Sequence, residues 1–192
     1  MSRIGRLLRI AVHPRQLRLA LSGLAVRLEG DKALGGLTDE ETQAVVRWAT
    51  APVFIEIGTL FGFTARAVAT GSAARVIAVD NFSWNPFGLT PSEHEAFARR
   101  VLYGSSVELV NADAQAYLRA LSADMSSSSV VFLDGDHRYE AVKAELEILL
   151  AHGVKKIAGH DFGNPAFGVT QAVREVLGEP DEVVGSCWLK TV

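Results

Sequence analysis

The sequence predicts an open, doubly wound α/β fold with seven strands, mostly parallel, closed by an antiparallel C-terminal hairpin and carrying helices on both faces. Three observations predict it. Short apolar runs alternate with helix-like segments without a break from position 53 to 177, which implies crossover connections between parallel strands. The runs themselves are too apolar to be half-exposed strands. After the last helical segment, 182–184 and 187–189 lie only two residues apart around Gly185-Ser186, which is a hairpin signal.

Each element has a local reason. Thr38 with Glu41 three residues on forms a capping box, so a helix is expected over 38–48. Pro52 closes it, and 53–57 reads as a buried strand bounded by Pro and Gly, followed by a helix over 64–70. The alternation continues with strands at 75–79, 107–110, 130–133 and 156–158, and helices at 92–102, 114–121, 139–150 and 169–177. Ser126 to Ser129 reads as a polar loop entering a strand. Cys187, in a strand pattern, reads as a small core residue.

Composition narrows the classes. With 192 residues, 48% hydrophobic and 21% charged, the chain suits one globular domain. One cysteine excludes an internal disulfide and a Cys-rich zinc site, so a reducing cytoplasm is expected. A net charge of -3 argues against a nucleic-acid partner, which calls for a basic domain. No window is apolar over about 18 residues, so no transmembrane segment is expected. The first 30 residues differ, holding Arg3, Arg6, Arg9, Arg15, Arg18 and Arg27 against Glu29. Residues 1–36 are therefore read as a basic N-terminal arm, packing on its own domain or on a second subunit of a homo-oligomer, or meeting lipid headgroups. Residues 37–192 form the main domain.

In such sheets ligands bind outside the carboxyl ends of the strands, near the reversal of strand order. The first end carries Glu56-Ile57-Gly58-Thr59-Leu60-Phe61-Gly62-Phe63-Thr64. Gly58 turns the chain out of the strand, Gly62 lets helix and strand approach, and the helix-start amides can meet a polar ligand. The second end carries Asp80 and Asn81, 22 positions after Gly58, where an acid is placed to accept ribose hydroxyls. At the third, Asp113 and Ala114 can meet an adenine, and Asp113 is equally a natural N-cap. The fourth and fifth ends carry Asp134-Gly135-Asp136-His137 and His160-Asp161. Adjacent parallel strands would bring Asp134, His137, His160 and Asp161 to one rim as potential metal ligands with perturbed proton affinities.

These residues resemble the class I S-adenosylmethionine-dependent methyltransferases, a Rossmann-like fold with an antiparallel seventh strand, over residues 37 to 192. Glu56-x-Gly58-x-x-x-Gly62 is similar to their first motif, Asp80 to the ribose-binding acid and Asp113-Ala114 to the adenine-contacting pair. Leu133 to Glu140 with Gly159-His160-Asp161-Phe162 resembles the small metal-dependent O-methyltransferases typified by the macrocin and mycinamicin sugar methyltransferases. The resemblance implies S-adenosylmethionine as cofactor, a small-molecule hydroxyl as acceptor, Mg2+ on Asp134 and Asp161 with His160 beside them, and His137 as general base. His160 stands where that family carries an acid, which leaves the metal's identity open.

Three rival readings stay open. His137, His160 and Asp134 or Asp161 also form the set of a non-haem iron enzyme; a nicotinamide enzyme would share Asp80 but expects a third glycine, and position 61 is Phe; a non-catalytic cofactor-binding protein keeps the fold without turnover. The aromatic stretch Asn81 to Gly88 is either a lid or acceptor wall beside the rim, or packs on the domain through Trp84 and Phe87. His13, His94 and His152 are expected at the surface.

Overall fold

A computed structural model describes residues 36–84 and 89–192. Residues 1–35 of the N-terminal arm, His13 among them, and positions 85–88, Phe87 among them, lie outside the described residues. The order is α1 (Asp39–Trp48), β1 (Val53–Ile57), α2 (Phe63–Gly71), β2 (Arg75–Asp80), α3 (Pro91–Val101), β3 (Val107–Asn111), α4 (Ala114–Arg119), α5 (Ala123–Ser127), β4 (Ser129–Leu133), α6 (Tyr139–Ala151), β5 (Lys156–Gly159), α7 (Val169–Leu177), β6 (Glu182–Val184) and β7 (Cys187–Thr191). One sheet joins the strands in the order β3-β2-β1-β4-β5-β7-β6. The first five are parallel, and β7 runs antiparallel to both β5 and β6.

Strand alternation divides the core into two layers. Ile55, Ile57, Val79, Val131 and Leu133 face Leu118, Leu146, Leu149 and Val173 of α4, α6 and α7. Phe54, Ala78, Val130 and Phe132 face Val45 and Trp48 of α1 and Ala65 and Val68 of α2. The period of two places successive residues on opposite faces, and because helices cover both, β1 and β4 are buried along their whole length. The edge strand β3 departs from the expectation of fully buried strands: Glu108 and Asn111 are exposed, since among the described residues no strand pairs beyond it.

Ser126 to Ser129 also departs from expectation. Ser122 accepts from the Met125 amide and starts the short helix α5, while Ser126 and Ser129 are buried. Serine is at home at N-caps, and the run that follows holds the last turn of this helix and the first residue of β4, not a loop. The capping box at Thr38 and Glu41 is present, and a second one, Thr90 with Glu93, starts α3 ahead of Pro91. Among the described residues no helix is long and apolar enough to cross a membrane.

The register positions the site. Ile57 pairs with both Val79 and Leu133, and Leu133 with Gly159. Residues 58, 80, 134 and 160 therefore leave the sheet at nearly one level. Strand order reverses between β1 and β4, so their loops face each other across the crevice where such sheets bind ligands.

Candidate active site

At the β1 end, the backbone does most of the shaping. Gly58 has φ +86°, and a side-chain carbon there would stand 2.3 Å from the Asp134 carbonyl oxygen; only glycine lets the β1 and β4 loops touch. Gly62, at φ +85°, fills a different role from the one expected: a Cβ there would meet Leu102 at 2.8 Å, so it admits the end of α3, not a strand. Glu56 is buried, and burial, with the Asp134 and Asp80 charges nearby, pushes its carboxyl up to about 8 against the bonds it receives from Thr59 Oγ1 and the Ala65 amide. Thr59 and Thr64 are both buried beside this turn.

Asp80 ties two loops together. Its Oδ2 accepts from the Leu60 amide at 2.8 Å and its Oδ1 from the Phe82 amide at 2.6 Å. Both donors lie in left-handed backbone, Leu60 at φ 51° and Phe82 at φ 55°, a conformation that bulky residues hold only under constraint and that clusters at ligand sites. Each carboxylate oxygen has two lone pairs, so the amides leave acceptor capacity for a ligand. Asn81 accepts from the Ser83 amide and is exposed. Asp113 Oδ1 accepts from the Ala116 amide at 2.9 Å and caps α4, whose first residue is Ala114.

His94 is not a surface group. It is 1% exposed, its Nε2 lies 2.9 Å from the Leu60 carbonyl oxygen, and its ring sits 4.8 Å from Phe61 and 5.1 Å from Phe82. A carbonyl partner requires the proton on Nε2, and the buried Nδ1 has no partner among the described residues. The aromatic loop is thus split: Phe82 packs inward, whereas Trp84 is 66% exposed. His152 follows α6 as its C-cap.

The fourth and fifth strand ends meet as the register requires. Asp134, His137 and Asp161 each offer a ligand atom within 4.8 Å of the others. His137 Nδ1 lies 3.5 Å from Asp161 Oδ2, and its ring packs at a 36° tilt against Phe167 with centroids 4.7 Å apart. His160 sits between the carboxylates, its Nδ1 3.5 Å from Asp134 Oδ1 and 3.4 Å from Asp161 Oδ2. Burial alone would lower its proton affinity, but the two carboxylates outweigh burial and raise it to about 10. The same contacts, with a bond from Asn164 Nδ2, hold Asp161 below its ordinary range despite burial, while burial keeps Asp134 above it. Asp161 is the third non-glycine residue in left-handed backbone, at φ 60°.

Behind His160 stands a support built on Glu41, whose local sequence signals only a helix cap. Ser186 Oγ lies 2.8 Å from His160 Nε2 and donates to Glu41 Oε1 at 2.9 Å. Glu41 also receives the Ser186 amide and both the amide and hydroxyl of Thr38. Burial works against its charge, yet these four bonds lower its carboxyl to about 2. Histidines that serve at a site are commonly oriented through their second nitrogen in this way.

The fold resembles solved methyltransferase structures of low sequence identity. A methyltransferase from Geobacter sulfurreducens superposes with a TM-score of 0.61 at 15% identity, covering 100% of this chain and 96% of its own. A Klebsiella pneumoniae protein proposed to be an O-methyltransferase gives 0.60 at 20% identity, covering 94% and 99%. An O-methyltransferase from Bacillus cereus in complex with SAH gives 0.56 at 17%, covering 93% and 90%. No curated protein matches this sequence. A family model described as a methyltransferase domain matches residues 55–161, more than half of the chain, and the protein therefore belongs to that methyltransferase family.

Proposed function

We propose that the protein transfers a methyl group from S-adenosylmethionine to a hydroxyl of a small molecule. The observation that carries this reading is the gathering of Asp134, His137 and Asp161 at the carboxyl edge, directly against the glycine turn of β1. The charge of the crevice suits the cofactor. Burial, with Asp134 and Asp80 nearby, holds the Glu56 carboxyl in its protonated form, and a ligand bearing a sulfonium and an ammonium group supplies the charge that lets it ionise. In this reading Gly58, Thr59, Gly62 and Thr64 form the cradle, with Glu56 and Asp134 facing the cationic end. Asp80 and Asn81 take the ribose hydroxyls, and Asp113 and Ala114 the adenine.

A divalent cation fits the donor set. Asp134 and Asp161 provide hard oxygen donors suited to Mg2+, and His160 a third donor once it gives up its proton. When bound, such a cation supplies Lewis acidity that makes the acceptor hydroxyl easier to deprotonate. His137 takes that proton: Asp161 faces its Nδ1, which favours the tautomer that leaves Nε2 as the base. The Glu41–Ser186 support and Asn164 keep His160 and Asp161 from drifting, which matters because near-attack geometry alone is worth roughly 7 to 11 kcal/mol.

Calorimetric titration of the metal-stripped protein with S-adenosylmethionine, repeated with Mg2+, tests the reading. Micromolar binding is expected, and absence of binding in both conditions would sink it. In turnover assays His137→Ala is expected to lose about 10²- to 10⁴-fold in kcat with cofactor affinity unchanged; a matching loss of affinity would contradict its role as the base.

A further inference from the structure

Behind the rim, on the Nε2 side of His160, three potential metal donors come together from three parts of the fold. Glu41 lies on α1, His160 directly follows β5 and Cys187 opens β7, and each offers a ligand atom within 4.8 Å of the others. We propose that these residues form a second cation site, for a thiophilic ion of the zinc type, and that the Ser186 hydroxyl closes it until such an ion arrives.

Placement comes first. Glu41 and Cys187 are buried and His160 is half-buried, so the fold holds the donors in place. Gly185, at φ +60°, lets the last hairpin close on α1, since a Cβ there would collide with Glu41 Oε1. His160 Nε2 and Glu41 Oε1 stand 3.7 Å apart, against the roughly 3.3–3.6 Å that separates donors around a tetrahedral zinc ion. The imidazole is also oriented for this use. A zinc-binding histidine almost always donates its other ring N–H to a carboxylate, a carbonyl or water, and His160 Nδ1 faces Asp134 Oδ1 at 3.5 Å and Asp161 Oδ2 at 3.4 Å. Nε2 is then the nitrogen left for the ion.

Charge and donor type select the ligand. Burial, with the Glu41, Asp134 and Asp161 charges, holds the Cys187 thiol above its ordinary range. The same negative charges attract a cation, which takes the sulfur as thiolate while the proton leaves to solvent. One sulfur, one imidazole nitrogen and one carboxylate oxygen suit Zn2+ or Co2+, whereas Mg2+ takes oxygen donors.

Ser186 holds the site closed. Its Oγ lies 2.8 Å from Nε2 and donates to Glu41 Oε1 at 2.9 Å, so one hydroxyl occupies both donor atoms. The Ser186 amide bonds the same oxygen and can stay, because a carboxylate oxygen has two lone pairs. Rotation of the hydroxyl about the Cα–Cβ bond therefore frees Oε1 and Nε2 together. Gly185 is exposed and Ser186 half-buried, so the way in runs through the hairpin turn. Bound through Nε2, His160 keeps its proton on Nδ1 and cannot also serve as a donor to Mg2+ at the rim. That consequence, which makes zinc an inhibitor, rests on the methyltransferase reading.

The test is titration of the full chain with Co2+ in the absence of cofactor, read as thiolate-to-cobalt charge-transfer absorption and accompanied by far-ultraviolet circular dichroism. S-adenosylmethionine binding is measured by calorimetry on the same protein before cobalt is added. The chain has a single cysteine, so the band can report only Cys187. One equivalent of Co2+ is expected to raise it with the native dichroism unchanged, and Zn2+ to abolish it by displacement. His160→Gln should weaken Co2+ binding by at least about tenfold. Ser186→Ala, which removes the competing hydroxyl and keeps the amide, should tighten it about tenfold. No band, a band that appears only as the dichroism collapses, His160→Gln binding as tightly as the parent, or Ser186→Ala binding no tighter would each overturn the proposal. If S-adenosylmethionine binds and no band appears, the zinc-type site fails alone; if the band behaves as expected and S-adenosylmethionine does not bind, the methyltransferase reading fails alone.

Discussion

Leu60 and Phe82 hold left-handed backbone at the two loops that flank the proposed cofactor crevice, and both amides end on Asp80. Asp80 fixes these loops from below; His94 fixes one of them from above through the Leu60 carbonyl, while its ring wedges between Phe61 and Phe82. Replacing His94 by Phe keeps the ring and removes the bond, so the strained turn loses about 1 kcal/mol of support. Affinity for S-adenosylmethionine should fall about fivefold to tenfold, and His94→Gln, which can still donate, should recover part of it. Calorimetric affinities for the three proteins, compared at equal thermal stability, decide the matter; equal affinities would mean the clasp has no part in shaping the crevice. A helical histidine flanked by Glu93 and Glu95 reads as exposed because its sequence neighbours are charged. Its buried side becomes legible only when α3 is laid across the loops of β1 and β2.

At the scale of elements, α1 is more than a cover for the sheet. Thr38 and Glu41 cap it, and the same Glu41 carboxylate receives two bonds from Ser186, 145 residues away in the chain. Thr38→Ala removes only the cap and should cost about 1 kcal/mol. Glu41→Ala also strands the Ser186 amide and hydroxyl and should cost at least twice as much. Urea unfolding midpoints of the two variants test this, and equal costs would remove the hairpin link from the account. Because the folded Glu41 carboxyl lies at about 2, below its ordinary value, this support is present above pH 4.5 and is lost as pH falls through 2. Apart from the short helix α5, which the serine-rich stretch hid, the elements were legible, since apolar runs, caps and turns are local signals and their ends fall within a residue or two of the observed ones. The rim residues followed, because parallel strands in register must deliver their ends together. Glu41 shows where that reasoning stops: its local role as a cap fully explained it, and no local signal marks a partner on the last hairpin.

For the molecule as a whole, three buried groups tie stability to pH in one direction. Glu145 on α6 is 2% exposed, and burial, with Asp136 and Asp113 adding like charge, raises its carboxyl to about 8. Glu56 is raised to about 8 and His160 to about 10. All three bind protons more tightly folded than unfolded. The carboxyls contribute stability that is complete below pH 4.5 and is lost as pH rises to 8; His160 contributes stability that is complete below pH 6.5 and is lost as pH rises to 10. The stability optimum should therefore lie on the acid side of neutrality, with a steady decline towards alkaline pH. Glu145 offers the cleanest separation, because it lies in the apolar layer formed by α6 and touches none of the proposed metal ligands' bonds. Glu145→Gln imitates the neutral acid. It should match the parent protein at pH 5, where Glu145 is already protonated, and exceed it at pH 9, where the parent must either bury a charge or open to hydrate it. A benefit of a few kcal/mol at pH 9 corresponds to a Tm higher by about 5 °C or more in a chain of this size. Thermal unfolding followed by circular dichroism from pH 5 to 9 reads the difference directly. Curves that diverge with rising pH support a protonated carboxyl in the core of the native protein, and parallel curves would show that Glu145 is hydrated and titrates as an ordinary surface acid.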